Sequence, residues 1–207
     1  MTTDLWRYVP LAGTLLFLLL GIGVRELIQR RRYGISGLAI VRDGARVENL
    51  IASLGLFFPV LLLAQAVLTA VAPHALDAWR VPLPEVAKPV GALLLFGGTV
   101  LMFVAQMDMG ASWRIGLDFQ KQSELVTGGM YRVSRNPIYL CMFVTLAGFA
   151  LLVSTWPVWL ALSAGCLCLR AWVVHVEEAE LLGRYGDGYR TYAAHVGRFL
   201  PWFGRLR

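Results

Sequence analysis

A run of 34 uncharged residues, from Asn136 to Leu169, constrains this chain more than any other feature of its sequence. As one α-helix it would be about 51 Å long, whereas the hydrocarbon core of a bilayer is about 30 Å thick. Thr155-Trp156-Pro157 lies near the middle of the run, and proline suits the first turn of a new helix. The sequence therefore predicts two antiparallel helices joined by a tight turn.

Three earlier uncharged intervals, residues 8–24, 49–76 and 89–107, are each long enough for one helical crossing of a bilayer. Together with the hairpin they predict an all-α integral membrane protein of about five transmembrane helices. Hydrophobic residues make up 57% of the chain, above the roughly 45–50% of soluble domains, which favours lipid as the surrounding solvent. We expect residues 1–107 to hold three transmembrane helices and residues 108–207 to hold the hairpin and a polar tail.

Lysine and arginine residues are concentrated on one side of the predicted helices. The 25–48 loop, the 108–137 loop and the tail together carry 15 of them, whereas the opposite side carries three. Because cytoplasmic loops are enriched in these residues, we expect the N-terminus outside, the C-terminus in the cytoplasm, and a location in a bacterial-type inner membrane. This orientation puts Leu76 and Trp156 near the outside, and Gly44, Ser123 and Arg207 inside.

The net charge of +6 does not indicate nucleic-acid binding, because the arginines fall between apolar blocks rather than along one polar face. Cys141, Cys166 and Cys168 lie within apolar blocks, without a CxxC pair and without a histidine at ligand spacing. We therefore expect neither a nucleic-acid partner nor a bound metal.

The first polar cluster with room for chemistry begins at Leu125 and ends where the hairpin starts. Gly128 and Gly129 permit backbone conformations closed to other residues, and Pro137 suits the first turn of a helix. Arg135 would then lie at a helix N-terminus, where a guanidinium beside free N–H groups suits a carboxylate or a phosphate. The alternative is an ordinary loop with interfacial arginine and tyrosine side chains.

The second cluster, around Glu177 and Glu178, directly follows the last apolar stretch. Adjacent carboxylates there suit ribose hydroxyls, an ammonium group or the guanidinium of Arg135, although a solvated helix end explains the same charges. On a regular helix Arg170 and Glu177 share a face, and Glu178 points about 100° away. Arg170 therefore either lines a pocket or extends to the membrane surface as a snorkelling side chain.

Taken together, the two clusters carry a joint pattern. The run LVTGGMYRVSRNPIY at residues 125–139 is followed by the apolar hairpin and then by EEAELLGRYGDGYRTY at residues 177–192. This pattern resembles the isoprenylcysteine carboxyl methyltransferase and phospholipid methyltransferase superfamily of integral membrane methyltransferases. The similarity covers about residues 108–202, nearly half of the chain.

The resemblance implies S-adenosylmethionine as cofactor, S-adenosylhomocysteine as its product, and a cytoplasmic cofactor pocket. It further implies a lipid-like or other hydrophobic acceptor that carries a thiol, a carboxylate or an amine. Asn136 stands where the eukaryotic prenylcysteine enzymes have histidine, so the resemblance supports cofactor binding more than it supports a prenylcysteine substrate. Tyr139 and Arg170 are the residues we expect to contact the acceptor. The implied cofactor pocket comprises Tyr131, Arg135, Asn136, Pro137, Tyr139, Glu177, Glu178, Tyr185 and Tyr189.

Two alternative functions fit the same helical pattern. Membrane sterol and steroid reductases have a similar C-terminal architecture but bind NADPH, and the Glu177-Glu178 pair favours the methyl donor over that cofactor. The second alternative is a membrane protein that retains the scaffold without catalytic activity.

Overall fold

The computed structural model describes residues 5–37, 46–113 and 124–206, with the backbone alone described at residues 46–58. The described residues are almost entirely helical and form no β-strand. Gly44, Ser123 and Arg207, whose sides of the membrane the sequence predicts, lie outside the described residues. We number the main helices in chain order: α1 (Trp6–Tyr33), α2 (Arg46–Val71), α3 (Ala87–Asp108), α4 (Pro137–Val153), α5 (Trp156–Tyr185) and α6 (Asp187–His195).

Helices α1, α3 and α5 are long and apolar enough to cross a membrane, with 28, 22 and 30 residues. The end of α2 and the short helix Pro73–Trp79 together also reach that hydropathy, but they meet at an angle of 111°. Helix α4 is apolar but has only 17 residues. The all-α membrane fold is thus confirmed, whereas five separate crossings remain a prediction.

The predicted hairpin is present, and its turn lies where the sequence places it. Helix α4 ends at Val153, Ser154 adopts a positive φ of 45°, and α5 begins at Trp156. Tyr139, in the first turn of α4, donates a hydrogen bond to Glu177, which lies near the end of α5. Because the start of one helix meets the end of the other, the two helices run antiparallel.

The turn is fixed to the segment that precedes α3. The Val81 N–H donates to the Ser154 carbonyl over 2.7 Å, and the Ser154 hydroxyl donates to the Val81 carbonyl over 2.7 Å. The Trp79 and Trp156 rings stack with centroids 5.5 Å apart. These contacts hold the closed end of the hairpin. The polar clusters around Arg135 and Glu178 lie at the opposite end.

Helices α3 and α4 approach each other closely because glycines face each other across the interface. A methyl group added to Gly98 would lie 2.7 Å from the Thr145 backbone nitrogen, and one added to Gly148 would overlap the backbone at Leu95. Gly91 in turn lies against the Gly148 carbonyl. Small residues allow such backbone contact between membrane helices, so α4 is packed rigidly against α3.

The structure corrects the predicted boundary of the first helix, because α1 continues through Arg25 instead of ending before it. The Arg25 side chain is fully buried. Its guanidinium donates to Gln29 Oε1 over 2.7 Å and to the Gln106 and Gly110 carbonyls over 3.2 and 2.5 Å, and it lies 4.7 Å from the Trp113 ring centroid. A buried charge is tolerated when its donors are satisfied in this way, and charge counting along the sequence does not detect those partners.

The second helix is also shorter than predicted. Helix α2 ends at Val71, and Pro73 starts the bent helical turn that follows it. Proline cannot donate the backbone hydrogen bond that a continuing helix needs. Leu76 is only 6% exposed in this turn, so it is a poor position for a labelling reagent.

We predict that a cysteine at Glu85 reacts with a membrane-impermeant thiol reagent added from outside, whereas a cysteine at Asp187 reacts only after the membrane is opened. Both side chains are exposed in the structure, and the distribution of basic residues predicts that Asp187 lies in the cytoplasm. The measurement is labelling of intact cells, in a background in which the three native cysteines are replaced. Labelling of Asp187→Cys from outside would contradict the orientation.

Candidate active site

The segment before α4 crosses the end of α3 in close contact with it. Gly129 has a φ of +56°, and a Cβ atom at this position would overlap the Asp108 carboxylate. That carboxylate accepts the Met130 N–H over 2.8 Å. Glycine is therefore required at position 129, the second of the pair, by a positive φ and by close approach. The turn directs Tyr131 into the interior, where the side chain is buried.

Arg135 and Asn136 are held by the C-terminal segment. The Arg135 N–H donates to the Gly197 carbonyl over 2.9 Å, and the Asn136 side-chain amide donates to the Arg198 carbonyl over 2.9 Å. Pro137 follows as the first residue of α4. Arg135 thus lies directly before the helix N-terminus, as the sequence predicts. The Asn136 side-chain amide binds the backbone of the C-terminal tail.

A buried ionic cluster joins the two halves of the sequence pattern. Arg135 Nη2 lies 2.8 Å from Glu178 Oε1, and these two side chains are only 1% and 6% exposed. Arg198 binds the same carboxylate with two bonds, from Nε to Oε1 and from Nη2 to Oε2, both over 2.8 Å. These hydrogen bonds raise the pKa of the Arg198 guanidinium. Glu178 is therefore held by two arginines.

Part of Arg135 has no partner within this cluster. Its Nη2 donates to the Gly204 carbonyl over 2.6 Å as well as to Glu178. Its Nε and Nη1 atoms are buried and have no hydrogen-bond partner among the described residues, and the same is true of Glu177 Oε2. Buried polar groups are normally satisfied, and leaving them unpaired is costly. Two unpaired donors and an unpaired carboxylate oxygen in one site fit a ligand that has an anionic group and a donor group.

Tyrosine rings enclose this site. Tyr189 is 1% exposed, and the Arg135 guanidinium lies 5.7 Å from its ring centroid. Burial raises the pKa of Tyr189 to about 12, and burial together with the charge of Glu177 raises the pKa of Tyr131. The Tyr192 hydroxyl donates to the Tyr131 carbonyl over 2.6 Å. These phenols stay protonated at neutral pH and provide rigid, largely water-free walls.

The predicted relation between Arg170 and Glu177 is wrong. Helix α5 contains a π-helical stretch at Val173–Glu177, which changes the number of residues per turn between the two positions. One extra residue in a turn shifts all later side chains by about 100° around the axis. Arg170 is consequently exposed on the outer side of α5, whereas Glu177 reaches Tyr139 and Glu178 is buried.

The structure brings most of the predicted residues together. Tyr185 is half-buried in the last turn of α5, and Arg170 lies apart from the cluster. Sequence reasoning missed Arg198, whose only signal is one positive charge in a basic tail, and Tyr192, which does belong to the second motif. The assembled group consists of Tyr131, Arg135, Asn136, Pro137, Tyr139, Glu177, Glu178 and Tyr189.

One relative of known name shares part of this chain. The nickel-cobalt-cadmium resistance protein NccN of Alcaligenes xylosoxydans xylosoxydans is 27% identical over 119 residues, which are 57% of this chain and 54% of the relative. The chain thus spans about half the length of the curated relative it matches. Among the described residues, no group of three or more histidine, cysteine, aspartate or glutamate side chains is arranged to hold a metal ion.

The phospholipid methyltransferase family matches residues 86–188, about half of the chain. The match begins at the start of α3 and includes both polar clusters of the sequence pattern, from Gly128 to Glu178. Arg198 and the rest of the tail lie beyond it. On the combined grounds of this match and the apolar helical fold, the chain belongs to the phospholipid methyltransferase family of integral membrane methyltransferases.

Proposed function

We propose that this protein transfers a methyl group from S-adenosylmethionine to an apolar or membrane-dissolved acceptor that carries a thiol, a carboxylate or an amine. The family supports methyl transfer to a membrane-associated substrate. The observation that carries the cofactor assignment is the set of buried, unpaired polar atoms in the site: Nε and Nη1 of Arg135 and Oε2 of Glu177.

The unpaired atoms suit the amino-acid end of this cofactor. Each unpaired guanidinium N–H can donate a charge-assisted hydrogen bond to a carboxylate, and a carboxylate oxygen accepts from an ammonium or a ribose hydroxyl. The site contains two arginines and two glutamates, a balanced set that suits a zwitterion. A dinucleotide with several phosphates would need unpaired positive charge, which this balance does not offer. The residues therefore fit the methyl donor better than NADPH.

S-adenosylmethionine supplies a methyl group on a sulfonium centre, and S-adenosylhomocysteine is the product. The protein's contribution to such a displacement is to align the two reactants and to exclude water. We assign binding and alignment to Arg135, Glu177 and Glu178, and exclusion of water to the buried rings of Tyr131 and Tyr189. Asn136, Pro137 and Tyr185 support the shape of the same pocket.

The acceptor would approach from the membrane side of the site. Tyr139 lies in the first turn of α4 and donates its hydroxyl hydrogen to Glu177, so we assign it to the boundary between cofactor and acceptor. Arg170 is exposed about two turns deeper along α5 than Glu177. We assign it to the entrance, where its charge would attract an anionic headgroup or nucleophile.

We predict that Arg135→Lys weakens S-adenosylmethionine binding about tenfold or more. Lysine keeps the positive charge but lacks the planar pair of donors, and charge-assisted hydrogen bonds contribute about 1.5–3 kcal/mol. The measurement is calorimetric titration of the full chain in detergent, with Arg132→Lys as matched control, because Arg132 is exposed on the same segment. Wild-type affinity in Arg135→Lys would remove this side chain from the cofactor site.

We predict that Arg170→Leu lowers methyl transfer more than it lowers cofactor affinity. Leucine keeps apolar bulk on α5 and removes only the charge at the membrane entrance. The measurement compares cofactor titration with transfer of labelled methyl groups into a total membrane lipid extract, and Arg190→Leu on α6 is the control. Unchanged transfer with unchanged binding would mean that Arg170 only snorkels to the interface.

A further inference from the structure

The C-terminal segment supplies Arg198, which affects which hydrogen-bond donors of Arg135 are left unpaired. Arg198 occupies both oxygens of Glu178, whereas Arg135 reaches only Oε1, through Nη2 alone. The Nε and Nη1 atoms of Arg135 are thereby left without a partner. Had Glu178 no other arginine, a bidentate pair with Arg135 would be its most favourable geometry, and that pair would use Nη2 together with one of the two donors that are now unpaired.

Arg198 is held in place from several sides. Its N–H donates to the Phe203 carbonyl over 2.8 Å, and its carbonyl accepts from the Asn136 side chain over 2.9 Å. A Cβ atom at Gly197 would overlap the Leu200 carbonyl, so the chain folds back tightly at this point. The Phe199 ring lies 5.8 Å from that of Phe143 in α4. The Arg198 guanidinium is therefore already held in place before a ligand binds.

The charge of the cluster leads to the same conclusion. Arg135 and Arg198 balance Glu177 and Glu178 in a site where the Arg135 and Glu178 side chains are almost fully buried. Without Arg198, the remaining three side chains would carry a net charge of −1. Because electrostatic interactions are stronger in a buried site than in water, that single charge strongly affects the affinity for an anion.

We propose that Arg198 is a positioning residue that makes the site selective for ligands with a carboxylate. It neutralises Glu178 and so leaves the Nε and Nη1 donors of Arg135 available for the carboxylate of an amino-acid ligand. This inference rests on the proposed cofactor, and it extends the site to a residue beyond the part of the chain that matches the family.

The experiment uses two probes that differ by one group: S-adenosylhomocysteine and its decarboxylated analogue, S-adenosyl-3-thiopropylamine. Both are titrated calorimetrically into the full chain in detergent, as wild type, Arg198→Gln, Arg198→Lys and the control Arg190→Gln. Arg190 is an exposed arginine 4.0 Å from Asp187, on the neighbouring helix α6. Thermal unfolding of each variant is recorded in parallel.

We expect the wild type and Arg190→Gln to prefer the carboxylate-bearing probe about tenfold or more, as a charge-assisted hydrogen bond in a buried site implies. Arg198→Gln should lose that preference by binding S-adenosylhomocysteine more weakly, while its affinity for the analogue changes less than about twofold. Arg198→Lys should be intermediate, because an ammonium is a point charge without the fork that spans both Glu178 oxygens.

Two results would overturn the inference while leaving the proposed function intact. An equal loss for both probes in Arg198→Gln and Arg198→Lys would show that Arg198 only supports the shape of the pocket. A preference that survives in both variants would show that Arg135 does not depend on it. If Arg198→Gln fails to fold, the test rests on Arg198→Lys alone, for which the inference requires an intermediate preference. A wild type that binds neither probe would refute the proposed cofactor itself.

Discussion

The buried carboxylate of Glu178 is the group on which the arrangement of the site depends. It joins three segments that are distant in sequence: the loop before α4, the end of α5 and the C-terminal tail. Burying a carboxylate is unfavourable unless it is paired and hydrogen-bonded, and removing one partner of a buried ion pair costs about 3–5 kcal/mol. Arg135 and Arg198 satisfy both oxygens, so each segment is fixed by the other two.

The helices supply the rigid support that such a cluster needs. The close contact of α3 with α4 through Gly98 and Gly148 leaves little freedom for the segment that carries Arg135. The Ser154 turn fixes the other end of the same hairpin. Because helices hold their geometry better than loops, the packed start of α4 restrains the loop residue Arg135 that directly precedes it.

Much of this architecture could be predicted from local sequence signals. The long uncharged run and Pro157 located the hairpin, since a single helix of that length does not fit a bilayer. The hairpin in turn implied that Arg135 and Glu178 meet at one end, and they do. Gly129 was recognised as a special backbone position for the reason that the structure confirms, a positive φ.

Two of the features that escaped prediction depend on long-range contacts, and a third is a local irregularity of a helix. Arg25 was assigned to a loop because its charge is visible in the sequence, but the carbonyl groups of Gln106 and Gly110 that satisfy it are not. The π-helical stretch before Glu178 rotates the later side chains around the axis of α5, and a regular helical pattern does not predict that rotation. Arg198 lies in no recognised motif, and only the folded tail brings it to Glu178.

The proposed function requires that this cluster of arginine, glutamate and tyrosine side chains binds an adenosyl methyl donor. The most direct test is mass spectrometry of the small molecules that remain bound when the full chain is purified in mild detergent. The account predicts S-adenosylmethionine or S-adenosylhomocysteine, reduced in Arg135→Lys. A bound nicotinamide dinucleotide would contradict it.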